Sequence, residues 1–470
     1  MVTRLVRASR IDFTALRREL ELPTRFPPAA LREADESAER VRSRPSGADR
    51  TDIGFVTIDP PTSRDLDQAL FLARRPGGYR VHYAIADVTA FVPTGGRLES
   101  ETWRRGQTVY LPDARVPLHP PVISEGAGSL LPGQTRPAAL WSIDLDRDGA
   151  TVETRLERAL VRSRARYDYA GVQEAARTGR LDDAIALLPE IGARLLDRGL
   201  ARGAIDLPIP EQEVEPDGDG GWRLTLRTST AAESWNAQIS LLTGACAATI
   251  MLDGGLGLLR TMPAPSRSAV DRLRAAAKAL GITWPRGATP GRVVSTLDPA
   301  RPRHAAFIDH AAELLRGARY TAFDGERPAD LVHGAVAAPY AHVTAPLRRL
   351  ADRYATEVCL SLVGGREVPQ WVREALPRLP AVMETSDRRA SRAERGAIDL
   401  AEAVLLADRV GEEFDAVVVD VDDAGTAGTV ALLDPPVVAR CVGRVPRGER
   451  IRVRLTLADP GRRLVSFEAS

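Results

Sequence analysis

The chain has 470 residues, and 64 basic against 63 acidic side chains leave a formal charge of +1. That balance excludes a polybasic, histone-like protein, so any nucleic-acid contact must come from a local basic surface. Apolar residues at 44% support a sizeable core, and the length allows about three domains. Lys278 is the only lysine; the arginine excess, with abundant Ala, Gly and Pro, matches GC-rich coding. The choice of Arg over Lys at one position therefore carries little information. Cys246, Cys359 and Cys441 lie far apart and form no C-x-x-C pair, which speaks against a thiolate zinc site or a disulfide framework. The start lacks signal-peptide character, and the longest apolar run, 241–252, is too short to span a bilayer. A cytoplasmic protein without membrane contact is expected.

In chain order, residues 1–51 read as a polar, partly helical extension. Leu16, Leu20 and Leu22 give a weak amphipathic signal, and SRPSGADR (43–50) reads as a linker. From Gly54 to about Leu160 the β-favouring runs GFVTIDP, QALFLA, YRVHYAIADVTAFV, QTVYLP and ALWSIDLD are broken by Pro and Gly. From Tyr169 to Leu280 helical patterns dominate, with one hairpin, RLTLR, after the Asp-Gly-rich stretch 217–221. Further helices are expected at 303–322, 346–362 and 383–410. The last has an apolar stripe at Ala390, Ala393, Ala397, Leu400 and Val404, and Gly411 stops it. The short strands after Gly411 have the rhythm of an OB-type barrel.

Two segments carry chemistry. In TIDPPTSRDLDQ (57–68), Asp59, Asp65 and Asp67 crowd together, and Pro60-Pro61 must end the strand bearing Asp59. If 65–67 is extended, Asp65 and Asp67 share a face and Leu66 takes the other. Like charges this close take up a proton or a cation, and hard oxygen ligands favour Mg²⁺ or Mn²⁺. The alternative is a solvated acidic loop. In YAHVTAPLRRLAD (340–352), Thr344 is a plausible helix N-cap and Pro346 suits the first turn. Arg348 and Arg349 would then lie beside free backbone N–H groups, a place to hold phosphate. The alternative is an ordinary capped helix with an Arg349–Asp352 surface pair.

Together these segments resemble the ribonuclease II family and its RNB catalytic domain. TIDPPTSRDLDQA resembles the T-I-D-x4–5-D-x-D-D-A block, and YAHVTAPLRRLAD resembles Y-x-x-F-T-S-P-[IL]-R-[RK]-[FY]-x-D. VHYAIADVTAFV, YLPDARVPLHPPVISEGAGSLLPGQTRPA, SRARYDYAGVQ and SRAERGAID resemble further blocks, in family order over about residues 52–410.

The resemblance implies an α+β fold: an extension (1–51), an RNB catalytic domain (52–410) and an OB-type RNA-binding barrel (411–470). It implies a magnesium-dependent 3′→5′ exoribonuclease, with Mn²⁺ as the alternative ion. Such an enzyme releases nucleoside 5′-monophosphates from single-stranded RNA and needs no evident protein partner. By position, Asp59, Asp65, Asp67 and Gln68 match the metal site, with Asp67 and Arg348 catalytic. Tyr169 matches a base-stacking ring, and Glu394 a residue lining the 3′ pocket; Thr344 and Arg349 belong to the RNA-binding arginine block. Tyr169 has the alternative of a core aromatic. In the barrel, alternation points Arg450, Arg452 and Arg454 to one face, which suits phosphate tracking or a solvated face balanced by Asp420, Asp422 and Asp423.

The sequence also departs from the family pattern. Gln68 replaces the fourth aspartate, and a neutral amide offers one carbonyl oxygen but no charge. Ala237, Gln238 and Gly244 replace two acids and an Asn in the block AESWNAQISLLTG, and Leu350 replaces an aromatic. Tandem N-terminal cold-shock domains are not expected in the residues before the first block. The rival reading is an RNA-binding protein that has diverged at Gln68; a DNA phosphodiesterase is the third.

Overall fold

A computed structural model describes residues 7–9, 11–217, 221–422 and 424–470. The β-favouring runs assemble into a seven-stranded sheet. Its spatial order is Ala165–Tyr167, Val56–Ile58, Gln68–Arg75, Gly78–Ala86, Thr135–Asp146, Thr151–Arg162 and Ala48–Asp49. The outermost pair at each side is parallel and the inner ladders are antiparallel. The segment read as a linker thus already contributes an edge strand at Ala48–Asp49.

Strand Gly78–Ala86 shows why this sheet is central. Val81, Tyr83 and Ile85 enter one core, while Ala84 and Ala86 enter another on the opposite face. Side chains alternate along a strand, so a strand covered on both faces carries apolar residues at successive positions. A Cβ on Gly78 would fall 1.9 Å from the Leu145 carbonyl oxygen, so only glycine lets this strand start against its neighbour. The expected strand through Val92 stops at Ala86, where Asp87 accepts from the Thr89 N–H and caps a short 3₁₀ turn.

Strand Thr151–Arg162 escaped the sequence reading because Arg and Glu fill most of its outward positions. Leu156, Ala159 and Val161 are its buried ones. The helix expected over 303–322 covers only Pro302–Ala312. After Gly317, at φ +85°, the chain enters strand Arg319–Asp324, paired with Leu256–Thr261. The expected hairpin forms between Glu211–Pro216 and Gly221–Arg227, with Arg7–Ser9 as third strand. Residues 218–220, between its two strands in sequence, lie outside the described residues.

Helices cover the face that holds Tyr83. Ala231–Asp253 begins with a capping box between Thr230 and Glu233. Leu350–Val363 is buried along nearly its whole length. The long helix Leu379–Leu406 realises the predicted 383–410 element. It buries Ala393 and Ala397 of the stripe, and Gly411 follows at φ +94°. The last five strands, Glu413–Val421, Ala427–Leu432, Val438–Val442, Arg450–Asp459 and Leu464–Ala469, close into a barrel through a parallel pairing of the third and fifth.

The barrel core is continuous with the long helix and with the N-terminal segment. Phe414, Val418 and Phe467 share one cluster with Ala393, Ala397, Ile11, Phe13 and Leu16. Phe13 stands edge-on to Trp222 at 5.4 Å, and Glu19 pairs with Arg463 at 2.6 Å. Residues 11–22 therefore wedge the large domain against the barrel. Among the described residues no helix is long and apolar enough to cross a membrane.

Phe13 is fully buried. Phe13→Ala should cost about 3–5 kcal/mol through lost burial and the cavity left behind. A lowered thermal unfolding midpoint checks this; an unchanged midpoint would mean the wedge carries no stability.

Candidate active site

The acidic loop is held at both ends by backbone. The Asp59 N–H donates to the Tyr167 carbonyl at 3.1 Å, and the Arg166 guanidinium donates to the carbonyls of Pro60 and Pro61, each at 2.7 Å. Leu66 is fully buried. Its N–H donates to Ser129 Oγ at 3.0 Å, and that hydroxyl donates to the Arg64 carbonyl at 2.7 Å. Residues 65–67 precede the strand, which begins only at Gln68, so the alternation expected there does not govern them: Leu66 joins the core with Ala69, while Asp65 and Asp67 reach separate partners.

Each aspartate has its own environment. Asp65 accepts from the Tyr110 hydroxyl at 2.9 Å and from Arg115 at 3.1 Å; Arg115 also reaches Glu125 at 2.5 Å. Asp67, only 2% exposed, accepts from the Leu347 N–H and from Arg348 Nε, both at 2.7 Å. The Asp59 carboxylate has no hydrogen-bond partner among the described residues. Burial lifts Asp59 to a pKa of about 7; Arg348 opposes the rise, while Asp67 and Asp65 add to it. Burial likewise lifts Asp67 to about 6 against the pull of Arg348 and the Leu347 N–H. For Arg348, burial works against the charge, but Asp67, Tyr110 and Asp65 outweigh it and raise its pKa.

The arginine segment differs from the sequence reading in one respect. The helix begins at Leu350, with Arg349 as N-cap, rather than at Thr344. Residues 345–349 form a turn that pairs with 106–108: Thr108 N–H donates to the Arg348 carbonyl and Leu350 N–H to the Gly106 carbonyl, each at 2.9 Å. Arg348 and Arg349 therefore precede the helix instead of lying in its first turn. Arg349 makes a bidentate pair with Asp352 at 2.9–3.0 Å, and Asp352 also accepts from the Ala345 N–H at 2.7 Å. Asp352 is fully buried, so this is an internal clamp and not a surface pair. Gly244 has a packing reason: a Cβ there would meet the Tyr340 ring at 2.2 Å and the Ala341 carbonyl oxygen at 2.5 Å.

Arg348 uses only Nε on Asp67. Its terminal nitrogens have no partner among the described residues, and its side chain is 39% exposed. Gln68, expected to lend a carbonyl oxygen to a metal, is bonded at both ends of its amide. Nε2 donates to the Thr344 carbonyl and Oε1 accepts from the Tyr83 hydroxyl, each at 2.7 Å.

Tyr169 opens the helix Tyr169–Arg177. It lies half-buried, and its hydroxyl accepts from Asn236 Nδ2 at 3.2 Å. Burial and the nearby Asp59 raise its pKa. Glu394 is exposed on the long helix and makes no hydrogen bond or ion pair among the described residues. Arg450, Arg452 and Arg454 share an exposed face, as predicted. Glu413 and Asp415 of the adjacent strand are the acids that pair with Arg452, and Glu413 also takes Arg454; Asp420 pairs with Arg447 instead. Asp423 lies outside the described residues.

Sequence reasoning missed Tyr110 and Arg115. They sit on the small hairpin Val109–Leu111/Ala114–Val116 and both touch Asp65. Tyr110 is 49% exposed as a residue while its hydroxyl reaches Asp65. The only signal was the YLPDAR run, whose Pro-Asp turn returns the chain.

No three His, Cys, Asp or Glu side chains among the described residues converge closely enough to enclose a metal ion by themselves. The donor set does suit a hard cation shared with a phosphate. Asp59 is unpartnered, Asp65 and Asp67 keep spare lone pairs, and Mg²⁺ commonly takes one or two carboxylates plus substrate oxygens.

The raised Asp59 pKa sets a sign for stability in metal-free protein. Stability from the neutral carboxyl is fully present below the unfolded-chain value of 3.8 and is lost as pH rises through about 7. Asp59→Asn should therefore raise the unfolding temperature more at pH 8 than at pH 5, in the presence of a chelator. Equal shifts at both values would mean the carboxylate is ionised throughout.

Comparison with known proteins bears on the family and the fold. The RNB domain profile matches residues 48–362, and that of the RNase II-type exonuclease C-terminal S1 domain matches 412–470. Ribonuclease R of Thermotoga maritima is 26% identical over 433 residues, 87% of this chain; the chain spans 60% of that protein. The fold superposes on the apo form of Mycoplasma genitalium RNase R with a TM-score of 0.85 at 19% identity, covering 97% of this chain and 77% of that one. It also superposes on yeast Ssd1, described as a pseudonuclease, with a TM-score of 0.69 at 18% identity, covering 86% and 51%. With an RNB domain over most of its length and the S1-type barrel at its end, the chain belongs to the ribonuclease II family.

Proposed function

We propose that this protein is a divalent-metal-assisted 3′→5′ exoribonuclease that releases nucleoside 5′-monophosphates from single-stranded RNA. The observation that carries this reading is Arg348. Buried Asp67 fixes its Nε, and two terminal nitrogens, partnerless among the described residues, remain beside three carboxylates. A phosphodiester meets these nitrogens as a bidentate partner, and they neutralise charge that develops on the phosphoryl oxygens. Asp59, Asp65 and Asp67 would hold a hard cation together with the phosphate, supplying charge neutralisation and a more acidic water. Water attacks phosphorus in line with the leaving 3′-oxygen. The P–O3′ bond breaks, leaving a 3′-hydroxyl on the shortened RNA and a 5′-phosphate on the released nucleotide. Tyr169, and the exposed Tyr110, offer faces on which bases stack regardless of sequence.

A 5′-labelled single-stranded RNA with Mg²⁺ should shorten stepwise from its 3′ end, with 5′-mononucleotide as product. Asp67→Asn should slow hydrolysis by about three to four orders of magnitude, to a residual rate that single-turnover assays still read, while RNA binding survives. Arg348→Lys should lower turnover more than affinity, since a point charge keeps the attraction but loses the fork. Equal losses in both quantities would make Arg348 a binding residue only.

A second reading follows from Gln68, whose amide is committed to the protein, and from the likeness to a pseudonuclease. It is an RNA-binding protein without turnover. Intact RNA at every Mg²⁺ and Mn²⁺ concentration, with binding retained, would establish it.

On the barrel, Arg450 makes no ion pair among the described residues, whereas Arg452 pairs with Glu413 and Asp415, and Arg454 shares Glu413. The barrel shares its core with the long helix and residues 11–22, so substitution is the clean test rather than deletion. Arg450→Ala should reduce the slope of log affinity against log salt by about 0.7, one single-strand phosphate contact. An unchanged slope would show that this face does not touch RNA.

A further inference from the structure

The residue that departs most visibly from the family pattern, Gln68, occupies a junction between the two halves of the site. A backbone carbonyl can only accept, so the Thr344 oxygen requires the amide nitrogen, and the amide oxygen must face Tyr83. The Tyr83 hydroxyl also lies 2.9 Å from Ser240 Oγ, and Tyr83 is buried. The chain Ser240–Tyr83–Gln68–Thr344 is therefore largely shielded from water, where hydrogen bonds are stronger and an unmade one is costly.

Asp67 and Gln68 are neighbours at the start of a strand, so their side chains leave on opposite sides. Asp67 takes the Leu347 N–H and Arg348 Nε; Gln68 takes the Thr344 carbonyl. Val343 belongs to the core on one face of the sheet and Leu347 to the core on the other. The turn 344–348 thus crosses from one face to the other at this strand start, gripped on one side by each residue. Asp67 alone fixes only its far end.

We propose that Gln68 is a positioning residue and not a cation ligand: it anchors the Thr344 end of the turn so that Arg348 stands against Asp67 with its terminal nitrogens toward the phosphate. The inference rests on the nuclease reading of the same site. An aspartate at 68 is too short to span both partners. An ionised glutamate cannot donate to the Thr344 carbonyl and brings negative charge beside it.

The test uses the full chain with Gln68→Ala, Gln68→Glu, Tyr83→Phe and the Ala/Phe double variant. Single-turnover cleavage of single-stranded RNA is followed across a Mg²⁺ titration, with RNA affinity measured separately and amide hydrogen exchange read over 343–350. Gln68→Ala should slow cleavage by about tenfold or more, the scale of one buried hydrogen bond. RNA affinity and half-saturating Mg²⁺ should stay unchanged, and exchange at Leu347 should quicken. Gln68→Glu should be at least as slow, with no gain in Mg²⁺ affinity. The double variant should be no slower than Gln68→Ala, because both substitutions cut one chain of bonds. Gln68→Glu that keeps its rate and needs less Mg²⁺ would overturn the proposal and make position 68 a ligand. Unchanged rate and exchange in Gln68→Ala would overturn it as well. A wild type that cleaves nothing refutes the nuclease reading, and there the exchange at Leu347 alone decides the positioning role.

Discussion

The carboxylate of Asp67 joins two segments about 280 residues apart in sequence by accepting the Leu347 N–H and Arg348 Nε. A buried carboxylate is tolerated only when it is paired and hydrogen-bonded, and here both conditions are met by one short turn. The sheet, which starts its third strand at Gln68, is thereby tied to the chain that leads into helix Leu350–Val363. Leu347 seals the core on one face and Val343 the core on the other. The placement of Arg348 and the closure of two cores are consequences of the same contact.

Charge in this protein is spent locally. With a net charge of +1, most arginines are matched by a neighbouring carboxylate, as in the clamp of Arg349 by Asp352 or of Arg158 between Asp87 and Glu357. The acidic loop is the exception in sign: three carboxylates meet Arg348 and Arg115, and burial drives two of them toward neutrality. Such a site gains from any added positive charge. On the barrel strand Arg450–Asp459, Arg450 is unpaired among the described residues while Arg452 and Arg454 face acids of the neighbouring strand.

Much of this was legible in the sequence, for physical reasons that differ by element. The acidic loop announced itself because Pro60-Pro61 must break a strand and because three carboxylates fall within nine residues; the alternation expected at 65–67 did not govern it, since the strand begins only at Gln68. The barrel was legible from strand rhythm, and the long helix from its alanine stripe. The start of helix Leu350–Val363 was not, since the turn before it is held by pairing with 106–108, a contact no local pattern encodes. Strand Thr151–Arg162 was hidden by its charged outward face. Tyr110 and Arg115 were missed because their role depends on a hairpin folding over Asp65. Gln68 read as a weakened ligand; its two hydrogen bonds depend on Thr344 and Tyr83, which only the fold brings near.

The central claim is that Asp67 and Arg348 act as one unit on the phosphate. A double-mutant cycle on single-turnover RNA cleavage tests it directly, with Asp67→Asn and Arg348→Lys made singly and together. If the pair is one unit, the double variant is no slower than the slower single variant, because the first substitution has already released the arginine. If the two losses multiply, the residues contribute independently, and the contact between them is not what organises the site.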